Sequence, residues 1–302
     1  MFYTPRMRAE YREEPCRAAL NRVRGMPFEW SLNPYMGCVH RCTFCYVRHF
    51  EQRADRPGDD RYGRSIRVKV NVAEVLRHEL ARPSWQRGEV SIGAATDPYQ
   101  PAEGRYRLTR SCLVELTAAL TPFSIITRGP LVVRDVDVLQ DASRRVRAAV
   151  YVSVPTLDER VWRTTEPGTA PPRSRLEVVG RLAAAGITVG VALAPILPGI
   201  SDGPEQLADA VRAARSAGAG SIWASLLHLR PGTREHFLEA LGRDWPDELD
   251  RYHRLYDGRA YLPQQIAGPV QATVRRLAAE HAAPRRPTLR PRPEPRQLTL
   301  AV

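Results

Sequence analysis

The sequence predicts an α/β fold built on a parallel sheet. Six short apolar runs rich in β-branched residues alternate with amphipathic segments, which is the pattern of serial strand-helix units. Each apolar run predicts a buried parallel strand. The chain has 302 residues, enough for one large domain with a full core. The pattern allows an open sheet or one that curves into a barrel.

The elements can be assigned in order. The predicted strands lie in FEWSLNPY (28–35), EVSIGAA (89–95), FSIITR (123–128), VRAAVYVSV (146–154), ITVGVALAPI (187–196) and SIWASLL (221–227). The predicted helices lie in NVAEVLRHELA (71–81), TRSCLVELTAALT (109–121), RDVDVLQDASR (134–144), SRLEVVGRLAAAG (174–186) and GPEQLADAVRAARSAG (203–218). The last two end in a glycine suited to a helix C-terminus. Residues 264–283 predict one closing helix.

Three regions follow from this pattern. Residues 1–28 are an N-terminal extension, 29–283 are the main domain, and 284–302 are a Pro/Arg-rich tail that we expect to be disordered. Within the main domain the core covers about 30–232 and closing helices cover 233–283. No apolar run approaches the roughly 18 residues that span a bilayer, and the N-terminus lacks the apolar core of a signal peptide. We therefore expect a cytoplasmic protein without a membrane partner.

The net charge leaves the type of partner open, and the cysteine count argues against one class of protein. The formal net charge is +12, and a basic surface attracts phosphates. Lys69 is the single lysine in the sequence, however, so coding bias toward arginine explains the charge equally well. Five cysteines, three of them crowded together, do not form the pattern of a secreted disulfide framework.

Three cysteines form a C-x3-C-x2-C array at Cys38, Cys42 and Cys45. A structural zinc site needs four ligands, and His40, His49 or a remote cysteine would have to complete it. No second half with zinc-site spacing is present. Three thiolates can instead hold a 4Fe-4S cluster and leave one iron open to a ligand other than protein. We favour the cluster over zinc.

Polar or unusual residues follow the predicted strands. The cysteines follow the first, the string TDPYQP (96–101) the second and Arg128 the third, while Ser153 ends the fourth. Residues 195–199 and His228 follow the fifth and sixth. Ligands bind at the carboxyl ends of parallel strands, so we expect these six loops to converge on one site.

These motifs together resemble a known family. The cysteine array with Phe44 before its last member is the signature of radical S-adenosylmethionine (SAM) enzymes. The strings ATDPYQPAEGRYRLTR, ITRG, YVSVPTLDERVWRTTEP and GITVGVALAPILPGISD are similar to those of the spore-photoproduct-lyase-like, or DNA-repair-photolyase-like, branch. The resemblance covers about residues 30–232.

The resemblance implies a partial (β/α)6 barrel of the TIM type and two cofactors, a 4Fe-4S cluster and S-adenosylmethionine. It assigns Cys38, Cys42 and Cys45 as iron ligands. It places Phe44 against the adenine, Thr96 and Asp97 near the methionine amino group, and Ser153 near the ribose or carboxylate, as the cofactor-binding residues. One electron from a flavodoxin or ferredoxin type of donor would cleave SAM and generate a radical that abstracts a substrate hydrogen.

The substrate and the hydrogen donor are less defined. Tyr99, Gln100, Glu103 and Arg128 are the substrate candidates, and no catalytic residue is assigned. Arg128 stands where the lyase branch suggests lysine, and arginine does not replace a movable proton. The lyase carries a hydrogen-donating cysteine near the end of the second strand, but this chain has Ala94 and Ala95 there.

The leading functional hypothesis is a radical SAM enzyme, lyase-like or transferase-like, that acts on nucleic acid in a DNA-repair-like reaction. The alternatives are a radical SAM enzyme on RNA, a peptide or a small molecule, and a non-catalytic zinc or nucleic-acid-binding module. The segment Gln297 to Leu300 is similar to the short motif that binds bacterial sliding clamps, which adds a clamp to the expected partners.

Overall fold

The computed structural model describes residues 9–59, 61–282 and 287–291. Its strands in chain order are β1 (Glu10–Glu14), β2 (Leu20–Arg22), β3 (Trp30–Leu32), β4 (Tyr35–Met36), β5 (Ser65–Lys69), β6 (Val90–Ile92), β7 (Phe123–Thr127), β8 (Ala148–Ser153), β9 (Thr188–Ile196) and β10 (Ser221–Leu226).

The main sheet has the order β2-β3-β6-β7-β8-β9-β10. From β3 to β10 every neighbouring pair is parallel, and β2 adds antiparallel to β3. The six parallel strands are the six that the sequence predicts, in chain order, so the α/β fold with a parallel sheet is confirmed. This consecutive order is that of a partial (β/α)6 barrel, with β2 and β10 at its edges in the described residues.

The helices are α1 (Val47–Gln52), α2 (Val72–Leu80), α3 (Pro101–Tyr106), α4 (Leu108–Ala118), α5 (Val136–Arg145), α6 (Glu159–Thr165), α7 (Pro172–Ala184), α8 (Pro204–Ser216), α9 (Thr233–Asp244), α10 (Leu249–Leu255) and α11 (Gln264–Glu280), with 3-10 turns at Pro130–Asp135 and Pro246–Glu248. The five predicted crossover helices are α2, α4, α5, α7 and α8, and α11 is the predicted closing helix. Gly186 and Gly218 follow α7 and α8 at φ 77° and 101°, in the left-handed region that glycine favours.

A second, smaller sheet packs beside the first and was not predicted. It has the order β1-β5-β4, with β1 parallel and β4 antiparallel to β5. The predicted strand 28–35 therefore divides into β3 and β4, which belong to different sheets. Pro34, which cannot donate to a ladder, lies at the break. This side sheet leads the chain into the cysteines.

Both terminal regions contact the domain where they are described. The predicted extension contributes β1 and β2. From the predicted tail, the Leu289 amide donates to the Gly186 carbonyl oxygen at 2.7 Å, beside the amino end of β9. The proposed clamp motif Gln297 to Leu300 lies outside the described residues. Among the helices of the described residues, none has the length and apolarity to cross a bilayer.

Candidate active site

The cysteine loop, residues 37–46, joins β4 to α1. Cys38 and Cys42 are buried, Cys45 is half-buried, and all three are free thiols. Two glycines allow other backbone to press against this loop. A Cβ on Gly63, at φ 77°, would lie 2.3 Å from the Cys38 carbonyl oxygen, and one on Gly168 would lie 2.5 Å from that of Val39. The loop is thus held by backbone packing on two sides.

The thiols influence one another's protonation. Burial raises the pKa of Cys42 well above its usual value, and Cys45 and Cys38 act in the same direction. Burial also raises the pKa of Cys45, again with a contribution from Cys38. Arg128 opposes the shift at Cys42 and Arg48 opposes it at Cys45. Because burial disfavours the charged thiolate, a bound cationic group is needed to hold these side chains in the thiolate form. This is the behaviour expected of a set of metal ligands.

Arg48 is a buried cation beside this loop, with 1% of its surface exposed. One guanidinium nitrogen donates to the carbonyl oxygens of Gly58 and Asp59, each at 2.7 Å. The guanidinium lies 4.7 Å from the centre of the Tyr62 ring, and the Tyr62 hydroxyl lies 3.5 Å from Cys45 Sγ. No carboxylate pairs with Arg48 within the described ranges. The positive charge is therefore available to the thiolates.

Gln100 connects the second strand's loop to the cysteine loop. Its side chain is fully buried, and its carbonyl oxygen accepts the Val39 amide at 3.2 Å. Its amide nitrogen donates to the Gly37 carbonyl at 3.1 Å and to Thr96 Oγ1 at 3.0 Å. Thr96 Oγ1 donates in turn to the Gly37 carbonyl at 2.6 Å. Both side chains therefore fix the backbone on either side of Cys38.

Asp97 lies at the centre of a hydrogen-bond network. One carboxylate oxygen accepts the Tyr99 amide at 2.9 Å and Thr127 Oγ1 at 2.7 Å, and the other accepts the Arg128 amide at 2.7 Å. His40 Nδ1 lies 3.3 Å from that second oxygen without hydrogen-bond geometry. Although burial opposes it, the charge of His40 and these hydrogen bonds lower the pKa of Asp97 to about 2.

Tyr99 and Glu103 lie in the protein interior. Glu103 is fully buried and accepts from the Tyr35 hydroxyl, from the Thr109 amide at 2.9 Å and from Arg134 at 2.8 Å. The Tyr99 hydroxyl donates to Asp135 at 3.1 Å. These contacts tie the DPYQP segment to β4, which precedes the cysteines. Their burial favours a scaffold role for both residues over substrate contact.

Arg128 is part of a network of ion pairs and hydrogen bonds beside the cysteine loop. Its Nε donates to Glu166 at 2.7 Å and a terminal nitrogen donates to the Ala194 carbonyl at 3.0 Å. Glu166 also accepts from buried Arg175 at 2.8 Å. Ser153 Oγ donates to the same Ala194 carbonyl at 3.0 Å. The network joins the carboxyl ends of β7, β8 and β9, and Arg128 also lies 5.6 Å above the Phe44 ring.

Aromatic rings line the other side. Tyr46 follows Cys45, and its hydroxyl donates to the Ala94 carbonyl. Its ring contacts Phe50 edge-on at 6.0 Å and His228 at 5.4 Å, and His228 stacks on Tyr261 at 5.1 Å with 13° between planes. We call Phe50, Tyr46, His228 and Tyr261 the aromatic ladder. It joins the loops after β4, β6 and β10.

The predicted site residues therefore fall into two groups. Phe44, Arg128 and Ser153 form the first group: Arg128 lies over the Phe44 ring, and Arg128 and Ser153 both donate to the Ala194 carbonyl oxygen. The cofactor-binding roles of Phe44 and Ser153 and the substrate role of Arg128 stay predictions. Thr96, Asp97, Tyr99, Gln100 and Glu103 use their polar atoms on other parts of the protein.

The sequence prediction did not include Glu166, Arg175, Arg48, Tyr62 or three members of the ladder; it included only His228 of that group. Glu166 and Arg175 could have been noticed as an acid in the family string TTEP with a basic partner on the next helix. Arg48, Tyr62 and the rings of the ladder meet only through tertiary contacts.

The cysteine loop fits a three-thiolate cluster in its donor set. Three thiols lie in one loop, and the guanidinium groups of Arg128 and Arg48 oppose the rise in thiol pKa that burial causes. The ligand positions 38, 42 and 45 are all cysteines, with no carboxylate among them. Elsewhere in the described ranges, as here, no three His, Cys, Asp or Glu side chains converge on a single metal ion. In a cluster each thiolate binds a different iron, so the sulfurs need not converge on one point.

The fold and the site together define an α/β protein whose candidate active site lies at the carboxyl edge of a parallel sheet. Residues 32–214 match the family described as the radical SAM superfamily, and the chain belongs to that superfamily. It is 39% identical to an uncharacterized protein of Mycobacterium tuberculosis, over 90% of this chain and 81% of that one.

Two further proteins are similar. Spore photoproduct lyase complexed with dinucleoside spore photoproduct superposes with a TM-score of 0.67 at 16% identity, covering 90% of this chain and 79% of that one. A radical SAM Nalpha-GlyT isomerase of Pseudomonas phage M6 is 26% identical over 55% of this chain and 33% of its own length. The lyase likeness confirms the partial barrel fold.

Proposed function

We propose that this protein holds a 4Fe-4S cluster on Cys38, Cys42 and Cys45, binds S-adenosylmethionine beside it, and abstracts hydrogen from a nucleic-acid substrate. The observation that carries the proposal is the loop of three free thiols, two buried and one half-buried, at the carboxyl edge of the sheet in a radical SAM chain. When bound, these cofactors supply one-electron cleavage of the sulfonium and a carbon radical, with the electron coming from a flavodoxin or ferredoxin type of donor.

The residues of the chain provide position and charge. The three thiolates bind iron, while Gln100 and Thr96 hold the loop backbone so that the thiols keep their spacing. Asp97 acts as a positioning residue because its oxygens are already occupied. Phe44 and Ser153 remain our candidates for direct contact with SAM.

Support for a nucleic-acid substrate comes from two directions. The net charge of +12 is suited to a polyanionic partner, although coding bias explains it equally well, and the lyase with the similar fold is complexed with a dinucleoside photoproduct. RNA, a peptide or a small molecule is the alternative. Because Ala94 and Ala95 replace the expected donor cysteine, we do not propose thymine-dimer repair by the lyase's own hydrogen return.

The first test is anaerobic reconstitution. We expect about four irons per chain, a broad sulfide-to-iron absorption band, and 5'-deoxyadenosine from SAM and dithionite without substrate. Cys42→Ala should lose both iron and SAM cleavage.

Cys112→Ala is the matched control, because this thiol is buried in α4 within the main core and should not affect the iron content. Full iron in Cys42→Ala, or a colourless zinc protein, would contradict the proposal.

A further inference from the structure

The aromatic ladder has two solvent-facing ends. Tyr261 is 56% exposed and Phe50 is 40% exposed, although both rings contact buried or half-buried rings on their inner sides. The inner ring, Tyr46, adjoins Cys45 and touches the loop after β6. The ladder therefore runs from the cysteines to the protein surface.

Tyr261 presents a flat face. Its ring is almost parallel to His228, which covers one face, and since 56% of Tyr261 is nevertheless exposed, the opposite face is the open one. Arg230 does not block that face, since its guanidinium lies 5.7 Å from the ring centre and donates to the phenol oxygen at 3.2 Å. These two distances put Arg230 at the hydroxyl edge of the ring. An aromatic plane with a cation at its edge fits a planar group that carries an anion.

The charges around the ladder select the occupant. Within the described ranges neither Arg230 nor Arg259 has a carboxylate partner: Arg230 bonds to the Tyr261 phenol, and Arg259 to a backbone carbonyl at 3.1 Å. Burial lowers the pKa of His228, with Arg230 acting in the same direction, so its ring stacks as a neutral group. A peptide without acidic residues would leave the two arginines without counter-charges, and an acidic peptide would supply the charges but no planar group beside each one, whereas each nucleotide brings both a base and a phosphate.

We propose that the open face of Tyr261 stacks an unpaired nucleobase of the substrate strand, with Arg230 on the adjoining phosphate. Base stacking on aromatic side chains combined with backbone contacts from arginine is the usual chemistry of single-stranded nucleic-acid binding. This inference rests on the proposed function, which it extends by naming the substrate class. The rings of His228 and Tyr46 separate Tyr261 from Cys45, so the stacked base is a neighbour of the reacting nucleotide.

The test uses the full chain, anaerobically reconstituted, and two labelled oligonucleotides of equal length. One is oligo-dT and the other consists of abasic units, which keep the phosphates but lack bases. Fluorescence anisotropy should show that oligo-dT binds more tightly. Tyr261→Ala should weaken oligo-dT binding about tenfold and leave abasic binding unchanged, while Tyr261→Phe should bind like the wild type.

Two further variants complete the experiment. Arg230→Gln should weaken both ligands and reduce the dependence of log affinity on log salt by about 0.7, the share of one phosphate contact on a single strand. Trp223→Ala removes a ring that is 39% exposed on β10, outside the ladder, and should change neither affinity.

Equal affinity for the two oligonucleotides, an unaffected Tyr261→Ala variant, or no binding by the wild type would overturn the inference. SAM cleavage without substrate is measured on the wild-type preparation. If oligo-dT stacks as expected but 5'-deoxyadenosine does not form, the proposed function fails and the nucleobase site stands.

Discussion

Arg48 shows how a single side chain can adapt a thiolate site. A buried guanidinium without a carboxylate is costly unless another negative group compensates it. Burial lowers the pKa of Arg48, and negative charge on Cys45, Tyr62 and Cys42 acts against that shift. The arginine thus favours a cluster with net negative charge.

Replacing Arg48 by methionine should make the cluster harder to reduce. Loss of one nearby cation removes about 1 to 2 kcal/mol of electrostatic stabilisation of the reduced state, a shift of about 40 to 90 mV to lower potential. An EPR-monitored redox titration measures this.

The matched control is Arg53→Met, which removes an exposed arginine at the end of the same helix and should leave the potential unchanged. Equal potentials in wild type and Arg48→Met, with full iron content, would show that Arg48 serves only the backbone of residues 58 and 59.

Burial also explains what the sequence could and could not predict at this scale. The cysteine spacing identifies the thiols because it is local. The string DPYQP-x-E is equally conspicuous, yet Gln100 and Glu103 are fully buried in the structure. A polar residue that binds a ligand and one that holds a loop look alike in a sequence, and only the hydrogen-bond partners distinguish them.

At the scale of elements, Glu166 joins parts that are far apart in the chain. It follows α6, and its two oxygens meet Arg175 on α7 and Arg128 after β7. The periodicity of the sequence predicts α7 and β7, but nothing local predicts their connection. The short helices α1, α3 and α6 escaped prediction for a related reason, since six or seven residues are too few to show a 3.6-residue period.

Glu166→Gln should destabilise the protein by about 3 to 5 kcal/mol, because it leaves two arginines without their buried carboxylate. Although burial opposes it, Arg175 and Arg128 lower the pKa of Glu166. The unfolded chain therefore binds the proton more readily, and the wild-type advantage is present above pH 4.5 and lost as the pH falls toward the folded value.

Urea unfolding of both proteins between pH 3.5 and 7 tests this prediction. Glu159→Gln, an exposed acid at the start of α6, serves as control and should cost little. A wild-type advantage that does not decline in acid would mean that the carboxylate charge contributes nothing.

At the scale of the whole molecule, the alternation of strands and helices was sufficient to predict the parallel sheet, and the family resemblance added its arrangement as a partial barrel. The side sheet was not predictable, because β1 and β5 pair across more than fifty residues and β4 has only two. Tertiary contact, rather than pattern, forms that sheet. Its position before the cysteines shows that the least regular part of the chain supports the candidate site.

The bond between Leu289 and Gly186 fixes where the C-terminal segment meets the domain. That point lies at the amino end of β9, and the cysteines lie beyond the other end. The nine residues of β9 separate the two faces by about 30 Å. Arg290, which is exposed and follows Leu289, therefore lies on the face opposite the cysteine loop.

A nucleic acid that touches both faces needs a minimum footprint. About 30 Å corresponds to roughly nine base pairs of duplex at 3.4 Å each, and a path around the domain is longer. Arg290→Ala should therefore weaken binding of 20-base-pair duplexes and leave six-base-pair ones unaffected in the same salt. Equal losses at both lengths would place Arg290 on the same nucleic-acid contact surface as the ladder. A loss confined to the longer duplexes would mean that the distance between the two faces of the domain sets the minimum length of a duplex that contacts both.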